Sequence, residues 1–245
     1  MNLYKIIFSY FLSAIMISSC SLESKLELVK PTRLEVGDTI AFCAPSGFLD
    51  SSRMALAKKR LMEKGFHIVY DDSLFRNWGY LAGKDKIRAN ELMTYFEDKS
   101  IKAIFPGTGG YGATRILSLL DYNSINENPK IFIGFSDITA LHIAFNRLSK
   151  LVTFHTPNPM YGLGSDKGLE PISELYFWSL LMNSKDDYEI PFDIYGDSVK
   201  VKTLVGGVSS GILVGGNLSL ICSAMGSKYE IYTDNSILFI EDVGE

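Results

Sequence analysis

The sequence predicts an α/β fold, with a parallel sheet flanked by helices in an N-terminal domain and a smaller, truncated β-rich C-terminal domain. Apolar strand-like runs alternate with helix-like patterns from residue 37 to residue 157, as in parallel sheets that are covered by helices. These runs are rich in Ile, Val and Phe, which is typical of strands buried on both faces. A chain of 245 residues that is 47% hydrophobic can form one full domain and part of another.

Strands and helices take turns through the predicted domain 37–157. Strands are predicted over residues 38–44, 66–70, 101–105, 130–134 and 151–155. Helices are predicted over residues 51–65, 84–98, 111–120 and 137–148, where apolar residues recur at helical spacing. In open parallel sheets the site forms at the carboxyl ends of the strands. The candidate site loops are therefore APSG, PGTGGYG, GFSD and HTPNP.

The pattern changes after the first domain. Residues 158–204 are predicted to connect the domains, with a helix that begins at Pro171 and short strand-like alternation that starts near residue 186. Residues 205–245 are predicted to begin the C-terminal domain with a strand, a glycine turn, a helix and a last strand. So few strands do not close a core, and we therefore interpret this domain as truncated.

Residues 1–20 have the layout of a secretory signal peptide. One positive charge at Lys5 precedes an uncharged apolar run that is short for a membrane span. The ending ISSC resembles a bacterial lipobox, in which cleavage exposes a cysteine that becomes lipidated. The sequence therefore predicts a lipid anchor at Cys20, a tether over residues 21–36, and a cell-envelope location at the periplasmic face or the outer membrane. An ordinary signal peptide with a chance cysteine is the alternative.

Charge and cysteine usage restrict the class of partner. The formal net charge is −4 and both signs are interspersed, which excludes the clustered basic surface of a nucleic-acid-binding protein. A small molecule or peptide is the expected substrate. Cys43 and Cys222 lie in apolar runs and are predicted to be buried free thiols.

Ser136 lies where the strand KIFIG turns abruptly into a helix. A nucleophile elbow has this arrangement, because the sharp turn exposes the serine hydroxyl at the top of the sheet. Gly134 permits a close turn, although the second glycine of G-x-S-x-G is replaced by Ile138. A serine at this position also fits the N-cap of the following helix, with Asp137 in its first turn.

A glycine-rich loop follows the third predicted strand. Gly109, Gly110 and Gly112 precede a helix, and such a loop exposes backbone N–H groups that could bind a phosphate or an oxyanion. A phosphate loop is disfavoured because no Lys-Ser/Thr pair follows. A simple glycine turn remains the alternative.

Six ordered motifs resemble the LD-carboxypeptidase family of serine peptidases, which includes muramoyltetrapeptide carboxypeptidases and the microcin C self-immunity peptidase. They are APSG, GGYGATRIL, NPKIFIGFSDITALH, TFHTPNP, GGNLSLI and ILFIEDVGE. The resemblance covers nearly everything after residue 36. It implies a Ser-His-Glu triad between the two domains, and hydrolysis of the L,D-peptide bond to a terminal D-amino acid in murein peptides. It also implies no metal and no cofactor, and it is compatible with a homodimer.

The family roles carry over to particular residues. By resemblance, Ser136 is the nucleophile and Glu241 is the acid that orients the histidine, with Glu245 a weaker candidate. The backbone N–H groups of Gly110 and Asp137 match the oxyanion hole. The residues matched to the substrate-binding wall are Gly109, Tyr111 and His155. Many members have Arg where Thr108 stands, a difference that bears on substrate contacts.

The catalytic histidine of the family lies downstream of EDVGE, beyond residue 245. His67 is expected at the wrong end of the sheet, and His142 lies in the helix after the nucleophile and is turned away from it. His155 is expected to be a wall residue. A serine without its base is a weak nucleophile, so the 245-residue chain is expected to be nearly inactive. The alternatives are a non-catalytic envelope protein that binds wall peptides, an immunity peptidase for a peptide-nucleotide antibiotic, and an esterase-like hydrolase.

Overall fold

The structure is a computed structural model that describes residues 28–183, 189 and 202–243. The predicted signal peptide, the lipidation site Cys20 and residues 21–27 of the predicted tether lie outside the described residues. So do Glu245 and most of the alternation predicted from residue 186 onward. The boundaries predicted for the two domains and their connection remain predictions.

The main sheet has five parallel strands in the order β2-β1-β3-β4-β5. The strands are β1 (Thr39–Cys43), β2 (His67–Val69), β3 (Ile101–Pro106), β4 (Ile131–Gly134) and β5 (Phe154–His155). The chain leaves β1 toward β2 on one side and returns to β3 on the other. The carboxyl ends of β1 and β3 therefore border a topological switch point, where open parallel sheets form their sites.

Helices cover both faces of the sheet, which confirms the predicted fold class. They are α1 (Ser51–Glu63), α2 (Asp85–Glu97), α3 (Ala113–Ile116), α4 (Tyr122–Glu127), α5 (Thr139–Ser149) and α6 (Pro171–Met182). Apolar side chains of α1 and α6 form the core on one face, and those of α2 to α5 form the core on the other. Successive residues of β1 enter opposite cores, with Phe42 in one and Cys43 in the other. Burial on both faces explains why the strands lack a polar face.

Several predicted elements differ in extent. The helix predicted over 111–120 is the single turn α3, continued by a 3₁₀ turn at Leu117–Leu119. It cannot begin earlier because Gly112 has a φ of 127°, outside the helical region. Of the strand predicted over 151–155, only two residues join the sheet, and Leu151 instead pairs with Val29. The short helix α4 had no apolar pattern by which to predict it.

The two remaining cysteines differ in exposure. Cys43 is a buried free thiol, as predicted, and burial raises its pKa. Cys222 is free but exposed, so the prediction that it is buried was wrong. It lies on α7 (Leu218–Ala224), whose buried residues are Ile221 and Ala224. A residue next to Ile221 is rotated by about 100° on a helix, which turns Cys222 away from the protein.

A second, smaller sheet follows. It consists of β6 (Ile212–Asn217) and β7 (Ser236–Glu241), which are parallel and joined through α7. The end of β6 packs against the start of α5, where the backbone N–H of Asn217 donates to Thr139 Oγ1 at 3.0 Å. This contact places the end of the small sheet beside the helix that follows Ser136. Within the described ranges, no helix combines the length and apolar character needed to cross a bilayer.

Candidate active site

Ser136 has a left-handed backbone conformation, with φ of 61°. Residues with a β-carbon avoid this region because it costs roughly 1–2 kcal/mol. Such strain persists only where the surrounding structure enforces it, and it is frequent at functional sites. Ser136 is half-buried two residues after β4. The turn therefore has the geometry of a nucleophile elbow.

Helix capping does not account for this serine. The cap position of the 3₁₀ turn Ser136–Ile138 is Phe135, and that of α5 is Ile138. Neither has a side chain that can accept a hydrogen bond from the helix. Ser136 is thus inside the turn rather than at its cap, and the N-cap alternative does not describe it.

Gly134 makes the elbow tight. A β-carbon at this position would lie 2.8 Å from Ile138 Cγ2, and its φ is 140°. Ile138 packs directly over the glycine and so occupies the position of the missing second glycine of the motif. The carbonyl of Gly134 accepts from the Thr156 N–H at 3.0 Å and from His142 Nε2 at 2.9 Å. These bonds hold the peptide just before the elbow.

The glycine loop after β3 touches the elbow. A β-carbon on Gly109 would lie 3.1 Å from Ser136 Cβ and 3.2 Å from the Asp137 nitrogen. Only a glycine therefore leaves space over the Asp137 N–H. Gly110 follows with φ of 104°, a conformation that favours glycine. The structure thus brings the loop of the predicted oxyanion donor Gly110 to the predicted nucleophile.

The side chain of Asp137 has a role that the sequence analysis missed. It is 2% exposed, and its Oδ2 accepts from Ser46 Oγ at 2.6 Å and from the Ala113 N–H at 2.8 Å. Ser46 belongs to the loop after β1, and Ala113 begins α3 directly after the glycine loop. One carboxylate therefore ties the elbow to both neighbouring loops. APSG was identified as a site loop, but nothing in the sequence linked it to Asp137.

Arg88 is a second buried charge at these loops. Its guanidinium is fully buried and donates to the carbonyls of Gly112, at 2.8 Å, and Gly83, at 3.1 Å. It also bonds the Pro45 carbonyl and forms an ion pair with Asp85. No sequence signal marked Arg88, which reads as one polar residue in an ordinary helix.

Glu241 ends β7 directly opposite Asn217. Its Oε1 atom is buried and has no hydrogen-bond partner within the described part of the chain. Asn217 in turn contacts Thr139, three residues after the nucleophile. Glu241 therefore lies at a strand end next to the helix of the elbow, with an acceptor atom unused by its described neighbours.

The three histidines have other surroundings. His142 is buried, and its Nε2 donates to a carbonyl, which fixes that nitrogen as protonated; burial lowers its pKa to about 3. The ring of His155 packs 5.0 Å from that of Phe239, and burial lowers its pKa. His67 is exposed and pairs with Thr39, at the amino ends of the strands. No described contact joins any of these three histidines to Ser136.

Tyr111 lies at the rim of the site. It follows Gly110 in the chain, and its ring packs edge-to-face (T-shaped) against that of Tyr80, with centroids 5.5 Å apart. Both rings are more than half exposed. This aromatic pair is thus available to a ligand that approaches the glycine loop.

A cavity of about 550 Å³ lies between β5, α5 and the small sheet. Its lining is mainly apolar and includes His142, His155 and Phe239, but not Ser136. We therefore place the candidate site at the elbow and not in this cavity. Among the residues that the structure describes, no three His, Cys, Asp or Glu side chains are grouped as metal ligands would be.

Two family models match the chain. A family model described as the LD-carboxypeptidase N-terminal domain matches residues 40–156, and one described as the LD-carboxypeptidase C-terminal domain matches residues 210–245. A probable murein peptide carboxypeptidase of Bacillus subtilis is 37% identical over 216 residues, which are 88% of this chain and 66% of the relative. The chain thus spans about two thirds of the length of that relative.

Solved structures of related proteins have a similar fold. An MccF-like protein of Bacillus anthracis superposes with a TM-score of 0.76 at 32% identity, over 87% of this chain and 70% of the other. MccF, the microcin C7 self-immunity protein of Escherichia coli, is 30% identical over 85% of this chain and 67% of its own. The structure of MccF in complex with glutamyl sulfamoyl guanosine superposes with a TM-score of 0.74, covering 86% of this chain and 70% of that chain. By the match of both family models and by its similarity to these relatives in sequence and fold, the chain belongs to the LD-carboxypeptidase family.

Proposed function

We propose that this protein is a serine carboxypeptidase that hydrolyses the L,D-peptide bond to a terminal D-amino acid in murein peptides such as muramoyl tetrapeptide. The strained backbone of Ser136 carries this proposal. Ser136 has a φ of 61° at a strand-to-helix turn, and helix capping does not explain this conformation because the cap position is Phe135. Strain of this kind exposes a nucleophile at the carboxyl edge of a sheet. Similarity to a probable murein peptide carboxypeptidase supports the substrate class.

The proposed mechanism is acyl transfer through a Ser-His-Glu triad. Ser136 Oγ attacks the scissile carbonyl, and its proton passes to a histidine and then to the leaving amine. The N–H groups of Asp137 and Gly110 donate to the developing oxyanion. Glu241 accepts from the histidine through Oε1, the oxygen that has no described partner. Water then hydrolyses the acyl-enzyme and releases the shortened peptide.

We further propose that the base is a histidine outside residues 1–245. His142 is engaged with the Gly134 carbonyl, His155 packs against Phe239, and His67 is at the amino ends of the strands. Removing the base from such a triad costs several orders of magnitude in kcat. The 245-residue chain alone should then show little hydrolysis while the intact natural protein is active. Equal activity of the two would contradict this assignment.

The substrate assignment is tested with the intact natural protein and a muramoyl tetrapeptide. Release of the terminal D-amino acid is expected, and it should fall at least about 10³-fold in Ser136→Ala. Ser52→Ala is the matched control, because that hydroxyl is exposed and its hydrogen bond within the described residues goes to Asp50. Peptides with a terminal L-amino acid and simple esters should be poor substrates. Unchanged hydrolysis in Ser136→Ala would contradict the proposal, and retained peptide binding without hydrolysis by wild type would favour the non-catalytic binding protein.

An immunity peptidase is the second candidate, favoured by the fold shared with MccF and its glutamyl sulfamoyl guanosine complex. The exposed pair Tyr80 and Tyr111 offers ring faces for a planar group. Cleavage of an aminoacyl sulfamoyl nucleoside in preference to the murein peptide, measured by kcat/KM, would establish this alternative.

We also propose a lipid anchor at Cys20 that holds the protein in the bacterial envelope, near its murein substrate. Replacing the anchor by Cys20→Ser should abolish labelling by a radioactive fatty acid and release the protein from membranes. Labelling of that variant would contradict the anchor.

The homodimer is likewise a proposal, to be tested by the molar mass of the intact protein in solution.

A further inference from the structure

We propose that the side chain of Asp137 is a positioning group, which sets the distance between the two backbone donors of the oxyanion hole. The proposal rests on the proposed function and deepens it. The first donor is the N–H of Asp137 itself, on the elbow, and the second is on the glycine loop, a separate segment of the chain. Catalysis by such donors requires a fixed geometry before the reaction begins.

The carboxylate links the two segments directly. Asp137 Oδ2 accepts from the Ala113 N–H at 2.8 Å, and Ala113 is the first residue after the glycine loop. The same oxygen accepts from Ser46 Oγ at 2.6 Å. Gly47, next to Ser46, donates its N–H to the Gly109 carbonyl at 3.0 Å. The elbow, the loop after β1 and the glycine loop thus form one closed set of hydrogen bonds.

Arg88 reinforces the same set from the other side. Its guanidinium bonds the carbonyls of Pro45 and Gly112, which belong to the two loops that Asp137 also holds. A β-carbon on Gly112 would lie 2.9 Å from Arg88 Nη1, so the loop rests directly on this side chain. Two buried groups of opposite charge therefore clamp the glycine loop. Hydrogen bonds to buried charges are stronger than those between neutral groups.

A carboxylate next to the proposed nucleophile is a candidate for proton transfer, but the side chain of Asp137 is not placed for this role. Its side chain is 2% exposed, and both described partners are structural donors. It acts on the substrate through the position of its own N–H and of the glycine loop. Removal of its carboxylate should therefore weaken binding of the transition state more than binding of the substrate.

The test compares Asp137→Ala with Asp137→Asn in the intact natural protein. Asp137→Ala should lower kcat about 10²-fold or more, as loss of an oxyanion donor does, with KM nearly unchanged. In Asp137→Asn the amide oxygen can take the place of Oδ2, so most of this loss should be recovered. Ser46→Ala removes one of the two donors and should lower kcat about 3- to 10-fold. Asp121→Ala is the control. The carboxylate of Asp121 also accepts two hydrogen bonds, but from backbone N–H groups at the start of α4 and not from the loops of the candidate site.

Two further readouts separate positioning from simple stability. A peptide boronic acid, which mimics the tetrahedral intermediate, should lose affinity in Asp137→Ala in proportion to kcat/KM. The pH profile of kcat should keep its shape, whereas loss of a catalytic acid or base would change it. An active wild type with equal kcat in Asp137→Ala, measured per folded molecule, would overturn only this inference. A wild type that hydrolyses no peptide would overturn the proposed function and this inference with it.

Should Asp137→Ala fail to fold, Ser46→Ala still decides the matter. Wild-type kcat in Ser46→Ala would overturn the inference, because Ser46 is the link between Asp137 and the loop after β1. A loss of kcat in Ser46→Ala equal to that in Asp121→Ala would overturn it as well.

Discussion

Ser136 combines the hydroxyl of the proposed nucleophile with a backbone conformation that residues with a β-carbon avoid. The elbow is enforced by Gly134, whose carbonyl is held by Thr156 and His142, and by the close contact of Gly109. The conformational cost at Ser136 is therefore borne by the surrounding packing. This cost is measurable separately from activity.

We expect Ser136→Gly to be more stable than Ser136→Ala by about 1 kcal/mol, although neither hydrolyses peptide. Glycine adopts a positive φ without the steric penalty that alanine retains. Unfolding by urea, followed by circular dichroism, gives the two free energies. Lys150 also has a positive φ, of 57°, and lies after the C-terminal end of α5. Lys150→Gly and Lys150→Ala are therefore a matched pair of variants away from the candidate site. Equal stabilities of the Ser136 variants would show that the elbow is not strained.

At the scale of elements, the strands were predictable because each is a short apolar run between turn residues. The helix α4 was missed because its sequence YNSINE is polar, and it forms on the Asp121 cap with Ile125 alone buried. The strand predicted from residue 151 begins only at Phe154, because Leu151 instead pairs with Val29 in a long-range contact. Local patterns carry no information about such pairings.

The site was predictable in part. Ser136, Gly110 and the glycine loop were identified from motif and turn chemistry, and the structure brings the elbow and this loop together. The clamp by Asp137 and Arg88 was not predicted, because it joins residues that are separated by 24 to 91 positions. The catalytic, oxyanion and substrate-binding roles of Ser136, Glu241, Gly110, Gly109, Tyr111 and His155 remain predictions.

The contact between β6 and α5 is the element-scale feature on which the position of Glu241 depends. A β-carbon on Gly216 would lie 2.6 Å from Thr139 Cγ2 and 2.7 Å from its Oγ1. Gly216→Ala should therefore push β6 and β7 away from the elbow and lower kcat about 10-fold or more, since a displacement of 1 Å can cost this much or more.

Gly226→Ala is the control for Gly216→Ala. Gly226 also has a positive φ, of 73°, but a β-carbon there would meet nothing within 4 Å. It reports the backbone cost alone, and its kcat should stay near wild type. If both variants lowered kcat equally, the packing of β6 on α5 would have no role in placing Glu241.

At the scale of the whole molecule, the buried His142 and the half-buried His155 lie between α5 and the small sheet. Burial lowers the pKa of His142 to about 3 and also lowers that of His155. An unfolded histidine has a pKa near 6.5. Below that pH the unfolded chain binds protons that the native protein does not, so stability is lost as the pH falls from about 6.5 toward 3.

His142→Gln should remove part of this pH dependence. The free energy of unfolding of wild type should fall, relative to the variant, by about 2 kcal/mol between pH 7 and pH 5. The carboxylates titrate in both proteins and cancel in the comparison. Urea unfolding at the two pH values measures the difference, and parallel pH curves would show that His142 is not buried neutral in the native protein.

The role of Ser136 as nucleophile is tested most directly by covalent labelling. The intact natural protein is treated with a fluorophosphonate, digested and mapped by mass spectrometry. We expect a single adduct on Ser136, loss of peptide hydrolysis in proportion to labelling, and no adduct in Ser136→Ala. Hydrolysis that survives full labelling of Ser136, or an adduct on another serine that abolishes it, would contradict the assignment of Ser136 as the nucleophile.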